Sequence, residues 1–344
     1  MDDQLYLLYL FDQSQWRRPL ALQALIKGKR TVSNLYAGLD YGLLSLYQLL
    51  PHLAAPKFQQ ALAQLLAAGW LEQQKRAVRL TAAGVAAKTA VQDQIFLPQH
   101  YAGFSFQHSR DFSNSLFLAT QVVSELQAHN RRYFPLAVSL ATQSRVKQWL
   151  QQQDASLMAE RLQHEWEQLL TVLPAQQADY YSQFLLGHEV QRATVAQADQ
   201  LAGWSSLTGE LVRQDISHHL LRLITAQPMR FPLMVALWRP LACGPLSQSA
   251  TVTMNLLDQG ASLALISQKR RVKINTLKEH LLEAAILLAD FPFATYLSEP
   301  TQQKLATVFA QQPLETWRYD QLATTPISFF EFRLYQIKRR KIHG

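Results

Sequence analysis

Residues 251–288 read TVTMNLLDQGASLALISQKRRVKINTLKEHLLEAAILL. The run from Thr251 to Gln259 spells a helix, and Gly260 stops it. Ser262 has the side chain of an N-cap, so a short second helix follows from Leu263 to about Arg270. Arg271-Val272-Lys273-Ile274 make a turn. A third helix opens at Asn275 or Thr276 and runs to about Leu288. Its apolar residues, Leu277, Leu281, Ala284 or Ala285, and Leu288, recur along one helical face. Leu263, Ile266 and Val272 are placed to close a core between the last two helices.

This is helix-turn-helix spacing. The first residues of the second helix in such a pair can enter a DNA major groove and meet base edges. Here they are Asn275, Thr276, Lys278 and Glu279. Asparagine pairs bidentately with adenine, and lysine reaches guanine or phosphate. Lys269, Arg270, Arg271 and Lys273 put four cations within five residues just ahead of that helix. Such cations neutralise phosphates and make binding salt-dependent. Glu279 and Glu283 act the other way, since two carboxylates on the same helix repel a duplex backbone.

The whole chain fits a mainly helical class. It has 344 residues, enough for two or three domains, with 48% apolar and 17% charged residues. Only 12 Gly and 14 Pro interrupt it, which argues against a β-sandwich, a barrel or a repeated βαβ fold. A single cysteine, Cys243, excludes an internal disulfide framework and any multi-cysteine metal site, and suits a reducing cytoplasm. The N-terminus is acidic, Met1-Asp2-Asp3, and the apolar run Leu5 to Phe11 is too short for a signal peptide. No long uncharged apolar stretch occurs, so no membrane span is expected. The net charge of +8 suits a polyanionic partner. Residues 1–100 carry +4, residues 101–245 are neutral, and residues 246–344 carry +4. Two basic modules joined by a helical spacer have this pattern, and so does a chance bias. We read the domains accordingly as 1–100, 101–245 and 246–344.

In the first of these, Leu35, Leu39, Leu43, Leu46 and Leu50 keep helical spacing despite Gly38 and Gly42, until Pro51. A helix over Pro56 to Ala68 follows, with Phe58, Leu62 and Leu65 or Leu66 buried and Gly69 as its C-terminal cap. Trp70 and Leu71 then begin a short hairpin that turns at Lys75-Arg76 and returns through Ala77 to Leu80, and Thr81 caps a new helix. This order resembles the end of a winged helix-turn-helix domain. Lys57, Gln59, Gln60 and Gln64 then lie on the polar side of the recognition helix, and Lys75, Arg76 and Arg79 in or beside the wing. A winged helix also serves as a protein-docking module, and the same elements suit a purely structural α+β domain. Both readings stay open.

The middle reads as consecutive helices near 113–129, 135–151, 155–173, 176–192, 207–226 and 231–238, with glutamines as solvated surface. Catalytic constellations fail here. His164-Glu165 and His188-Glu189 each begin a zinc-protease pattern, but Gln168 and Arg192 stand where the second histidine belongs. Adjacent His218 and His219 point to different faces of a helix. Cys243 has no base beside it in sequence. No phosphate-binding loop, dinucleotide fingerprint or nucleophile elbow occurs. The chain reads as no enzyme and needs no cofactor. The tail, Gln336 to His343, contains four consecutive cations and reads as a disordered solvated end or a phosphate-gripping one. Of Phe329, Phe330 and Phe332, two belong to a core and one to the surface.

Gly260, Ser262, Leu263, Ile266 and Arg270, then Thr276, Leu277, His280, Leu281 and Glu283, carry a family likeness. Together they resemble the helicase-type helix-turn-helix domain at the C-termini of many RecQ-like DNA helicases. The same domain occurs in the YpbB-like proteins of low-GC Gram-positive bacteria. Leu246, Ser247, Ser249, Ala250 and Thr253 upstream look similar to that group. So do Ile327, Ser328, Phe329, Phe330, Arg333 and Leu334 downstream. Length and the lack of motor motifs favour the stand-alone YpbB-like protein. The family usually has alanine where Ser267 stands, a change small enough to keep a close helix crossing. The resemblance implies an accessory protein that works beside a RecQ-like DNA helicase in DNA repair or recombination, with DNA and the helicase as partners. The alternatives are a helix-turn-helix protein-docking module and a transcription regulator, although no effector pocket is recognisable in the sequence.

Overall fold

Hydroxyl side chains start many of the described helices. Thr31, Thr81, Ser139, Thr194, Ser205, Ser247, Ser262 and Ser298 each accept a hydrogen bond from the backbone N–H three residues on. Each thereby satisfies one donor that a helix start leaves open. The computed structural model describes residues 2–154 and 157–343. Its helices run in order as α1 (Asp2–Leu8), α2 (Pro19–Ile26), α3 (Val32–Asp40), α4 (Ala55–Ala67), α5 (Ala82–Ala90) and α6 (Ser109–Gln127). Next come α7 (Leu140–Gln151), α8 (Met158–Leu170), α9 (Ala175–Ser182), α10 (Val195–Leu201), α11 (Ser206–Ala226) and α12 (Pro232–Trp238). The last are α13 (Gln248–Asp258), α14 (Leu263–Arg270), α15 (Ile274–Leu287), α16 (Phe293–Tyr296), α17 (Glu299–Val308) and α18 (Phe329–His343). A hairpin of β1 (Leu71–Gln74) and β2 (Ala77–Leu80) is the only sheet among the described residues. The protein is mainly helical.

The chain gathers into two compact units. The first takes the chain up to Tyr9, then Gln60–Trp70 and Thr81–Cys243; the second takes Leu10–Gln59, Leu71–Leu80 and everything from Gly244. The segment 1–100 is thus shared between them, and the later boundary falls beside the one read at 245. Charge follows this division closely. The second unit holds 21 Lys and Arg against 11 Asp and Glu, a net +10, while the first holds 12 against 14, a net −2.

The first unit is a helical bundle whose core runs from Phe112 and Leu116 of α6 through Trp149, Trp166, Tyr180 and Phe184 to Ile216, Met234 and Trp238. Helix α6 starts at Ser109 rather than 113, and two further departures have a visible cause. Helix α7 begins at Leu140 rather than 135, because Gln121 holds the preceding segment extended. The Gln121 side chain donates to the Phe134 carbonyl at 2.9 Å and accepts from the Leu136 N–H at 2.8 Å. The helix expected over 176–192 stops at Ser182. A turn closed between Gly187 and Val190 follows, and a capping box at Thr194 and Gln197 starts α10, which the sequence did not disclose. The start of the helix expected at 155 lies outside the described residues.

In the second unit α15 is central. Leu277, Leu281, Ala284 and Ala285 are fully buried, and α15 packs against α3, α13, α14 and α18. The helix expected to continue past Gly42 ends with α3 at Asp40. Gly42 takes φ +67°, and the Leu43 N–H reaches back to the Gly38 carbonyl at 2.8 Å. Only glycine adopts that left-handed step without steric cost, so the stop is local chemistry. The tail is neither disordered nor free. It forms the second half of α18, started by reciprocal bonds between Ser328 and Glu331. Ile337 is fully buried, Arg340 pairs with Asp40 at 2.6 Å, and Lys341 donates to the Leu288 carbonyl. Of the three phenylalanines, Phe332 is buried, Phe330 half-buried and Phe329 exposed.

Candidate nucleic-acid interface

Two tight turns set the geometry of this region. Helix α13 ends at Gly260, φ +83°, with the Ala261 N–H bonded to the Leu256 carbonyl at 3.0 Å. Helix α14 ends the same way but on an arginine. Arg271 takes φ +54°, ψ +41°, and the Val272 N–H bonds the Ser267 carbonyl at 3.2 Å. The Ser267 hydroxyl adds a second clasp, donating to the Val272 carbonyl at 2.6 Å. The departure at Ser267 therefore fastens the turn. Helix α15 begins at Ile274, and no side chain caps it.

Around that start the cations divide. Lys269, Arg271, Lys273 and Asn275 are exposed, as is Glu279. Thr276 and Lys278 are half-buried, and the Lys278 ammonium lies 5.6 Å from the centre of the Phe330 ring. Ile274 is 44% exposed between Lys273 and Asn275. The sequence pattern leaves it in the turn, and its only signal is an apolar residue off the buried face. From His280 to Ile286 every residue is buried. Only the first turn and a half of α15 can therefore meet a partner.

Two residues expected at the surface have structural roles instead. Glu283 does not repel anything outside. Its carboxylate accepts from the Ser247 N–H at 2.6 Å, from the Ser247 hydroxyl at 3.1 Å and from Arg30 at 2.9 Å. It thereby joins the start of α13 to α15, and one of the two opposing carboxylates drops out. Arg270 is half-buried and donates to the Ser249 carbonyl and hydroxyl, each at 2.9 Å, and to the Thr253 hydroxyl. The Thr253 hydroxyl also lies 2.8 Å from His280 Nδ1. Burial, and then the Arg270 charge, holds the His280 imidazole below its ordinary pKa.

A family model described as a helix-turn-helix domain matches residues 249–336. No curated protein and no solved structure matched the chain. Residues 249–336 form a helix-turn-helix domain. Helices α14 and α15 are its paired helices, and α13 and α18 complete its core. The residues that carried the family likeness now have roles, and most are internal. Ser262 caps, Gly260 turns, Ile266, Leu277 and Leu281 fill the core, and Arg270, His280 and Glu283 tie helices together.

Outside the helix-turn-helix domain, the hairpin carries the other cations singled out in the sequence. Glu72 pairs with Arg79 across the strands, and Gln74 with Ala77, which leaves Lys75 and Arg76 as the turn. Both are exposed, Lys75 at φ +54°. Arg79 is engaged: it bonds Glu72 at 2.5 Å and stacks 4.5 Å above the Trp16 ring. The other edge of β2 is covered by residues 12–17. Arg17 and Val78 exchange both backbone bonds at 2.9 Å, and the Leu80 N–H bonds the Asp12 carbonyl at 2.9 Å. Sequence reasoning misses this segment, which has no alternating pattern. Lys57, Gln59, Gln60 and Gln64 are exposed on α4.

The histidine motifs resolve into packing. Glu165 accepts from the Leu233 and Met234 N–H groups at 2.9 and 3.0 Å, capping α12 from inside the bundle. His188 bonds Glu125 at 3.1 Å. His218 is buried between the Ala102 N–H and the Ser109 hydroxyl, both at 3.1 Å, while His219 stacks on His100. No metal-binding cluster occurs among the described residues, and no described helix is long and apolar enough to cross a membrane.

Proposed function

We propose that this chain is a non-enzymatic DNA-binding accessory protein that reads a groove with the first turn of α15. One observation supports this above all. Lys269, Arg271, Lys273 and Asn275 are all exposed around the uncapped start of α15, in a unit of net charge +10. Cations there grip phosphates, Asn275 meets a base edge, and the open backbone N–H groups of the helix start favour an anion. A winged-helix reading of α4 and the hairpin adds Lys75 and Arg76 as a second point of attachment. The partnership with a RecQ-like DNA helicase in repair or recombination rests on the family resemblance. A cytoplasmic location is the matching expectation.

Fluorescence anisotropy with duplex, forked and single-stranded DNA tests the DNA reading. Binding that weakens steeply with salt supports it, and no salt-dependent binding to any form removes it. A docking role is the second reading, because Glu279 is exposed on the same short face and Lys278 is engaged by Phe330. Charge reversal at Lys273 and Lys278 separates the two. Lost DNA binding with the helicase retained in co-purification favours the first, and the reverse favours docking.

A further inference from the structure

The first unit contains a cleft of about 250 Å³ that the helix-turn-helix reading leaves unused. Its floor is aromatic, built from Phe117, Tyr181 and Phe184, all buried in the bundle core. Three arginines line it, and they are not equivalent. Arg110 and Arg213 both pair with Glu210, and Arg213 also holds Asp199 at 2.7 Å. Arg192 has no ion-pair partner among the described residues. Its guanidinium lies over two rings instead, 5.3 Å from the centre of Phe117 and 5.5 Å from that of Phe184. Arg192 is half-buried, and burial pushes its pKa down, so this cation has given up part of its hydration without gaining an anion. The lining also carries hydroxyls: Ser113 lies 3.1 Å from the Ser217 oxygen and 3.3 Å from that of Tyr181.

We infer that this cleft binds a small organic carboxylate with an apolar, flat body, held by Arg192. One uncompensated cation calls for a monoanion. A planar guanidinium fork matches a carboxylate with two parallel hydrogen bonds. The ring floor suits an aryl group stacked flat, and the hydroxyls can bond the carboxylate edge or a polar substituent. The volume lies below that of drug-sized pockets, so the occupant has on the order of ten non-hydrogen atoms.

Titration calorimetry on the full chain tests this with three probes: phenylacetate, its neutral isostere phenylacetamide, and inorganic phosphate. Phenylacetate is expected to bind with a Kd near about 1 mM, as befits a ligand of this size. Phenylacetamide should bind at least roughly ten-fold more weakly, because it leaves the guanidinium without its counter-charge. Arg192→Gln should lose phenylacetate binding to the same degree, and Arg192→Lys, which keeps charge without the fork, should fall between. Circular dichroism of both variants checks that they fold. Should Arg192→Gln not fold, chemical-shift changes in wild-type arginine side-chain resonances on adding phenylacetate carry the test. Phenylacetate that does not bind, that binds no better than phenylacetamide, or that ignores the loss of Arg192 overturns the inference. Phosphate that binds as tightly as phenylacetate and loses that binding in Arg192→Gln overturns the carboxylate assignment.

Discussion

The two compact units treat charge in opposite ways. In the first, most of the buried ionic groups turn inward and are satisfied there, Arg192 apart: Glu165 caps α12, His218 bridges Ala102 and Ser109, and Asp215 accepts from the His100 and Tyr101 N–H groups at 2.6 and 2.9 Å. In the second, a surplus of cations turns outward at Lys269, Arg271, Lys273, Lys75 and Arg76. The contrast is sharpest between two buried carboxylates that each serve a helix start. Glu283 has Arg30 beside it, whereas Glu165 has only backbone N–H groups, and burial lifts its pKa above the usual carboxylate range. The first unit uses polar groups to specify packing. The second uses them to hold a basic surface in place. Only the second pattern has a use that needs a polyanion.

The strongest attempt to break this contrast removes the outward cations. The triple variant Lys269→Glu, Arg271→Glu, Lys273→Glu should lower duplex affinity by at least about 100-fold. It should also flatten the salt slope by about 0.9 for each phosphate that is no longer neutralised. Its unfolding midpoint should stay near wild type, since these side chains are exposed. Unchanged DNA affinity would falsify the idea that the second unit's charge is functional. Next in size is Glu165→Ala in the first unit. It leaves two buried N–H groups of α12 unbonded and should cost about 2–3 kcal/mol in denaturant unfolding. DNA binding, measured at a temperature where the variant is folded, should not change.

A pH experiment sharpens the inward half. Burial, and then the Arg222 charge, pushes the His218 pKa down to about 3, against 6.5 for the free side chain. Between those values the unfolded chain holds the proton and the folded chain does not. Stability from this site is therefore complete above pH 6.5 and is lost as pH falls toward 3, at about 1.4 kcal/mol per pH unit. Glu165, whose pKa burial raises, works in the opposite direction. His218→Asn keeps an acceptor for the Ala102 N–H and cannot titrate. Stability curves for the two proteins should diverge at neutral pH and converge as pH drops from about 6 to about 4. Parallel curves show that His218 is not held neutral.

How far the sequence discloses all this depends on the distance over which each signal acts. The caps at Ser262 and Thr81, the stops at Gly69 and Gly260, and the apolar face of α15 are local, and the structure keeps them. Gly42 is equally local, yet leucine spacing on both sides hides the stop it imposes. What could not be read are pairings between distant residues. Nothing in Glu283 announces Arg30, 253 positions earlier, and nothing in Arg340 announces Asp40. Those two partners turn an expected repulsive carboxylate and an expected loose tail into parts of the core. The family likeness has the same limit. Its residues, Arg270, His280 and Glu283 above all, prove to be scaffold, so it identifies the fold more firmly than the surface that acts.

The smallest effect separates that scaffold from that surface at one position. Arg271 closes α14 in the left-handed region, where a Cβ is disfavoured and glycine is not. Arg271→Gly should therefore raise stability by about 0.5–1 kcal/mol, seen as a higher denaturant midpoint. The same change removes one exposed cation at the start of α15, and duplex affinity should fall with a salt slope shallower by about 0.9. A merely structural arginine would show only the first effect, and weakened binding through a distorted turn would come with lost stability. Opposite signs in the two measurements mean that a strained backbone is retained at this turn for the charge it presents.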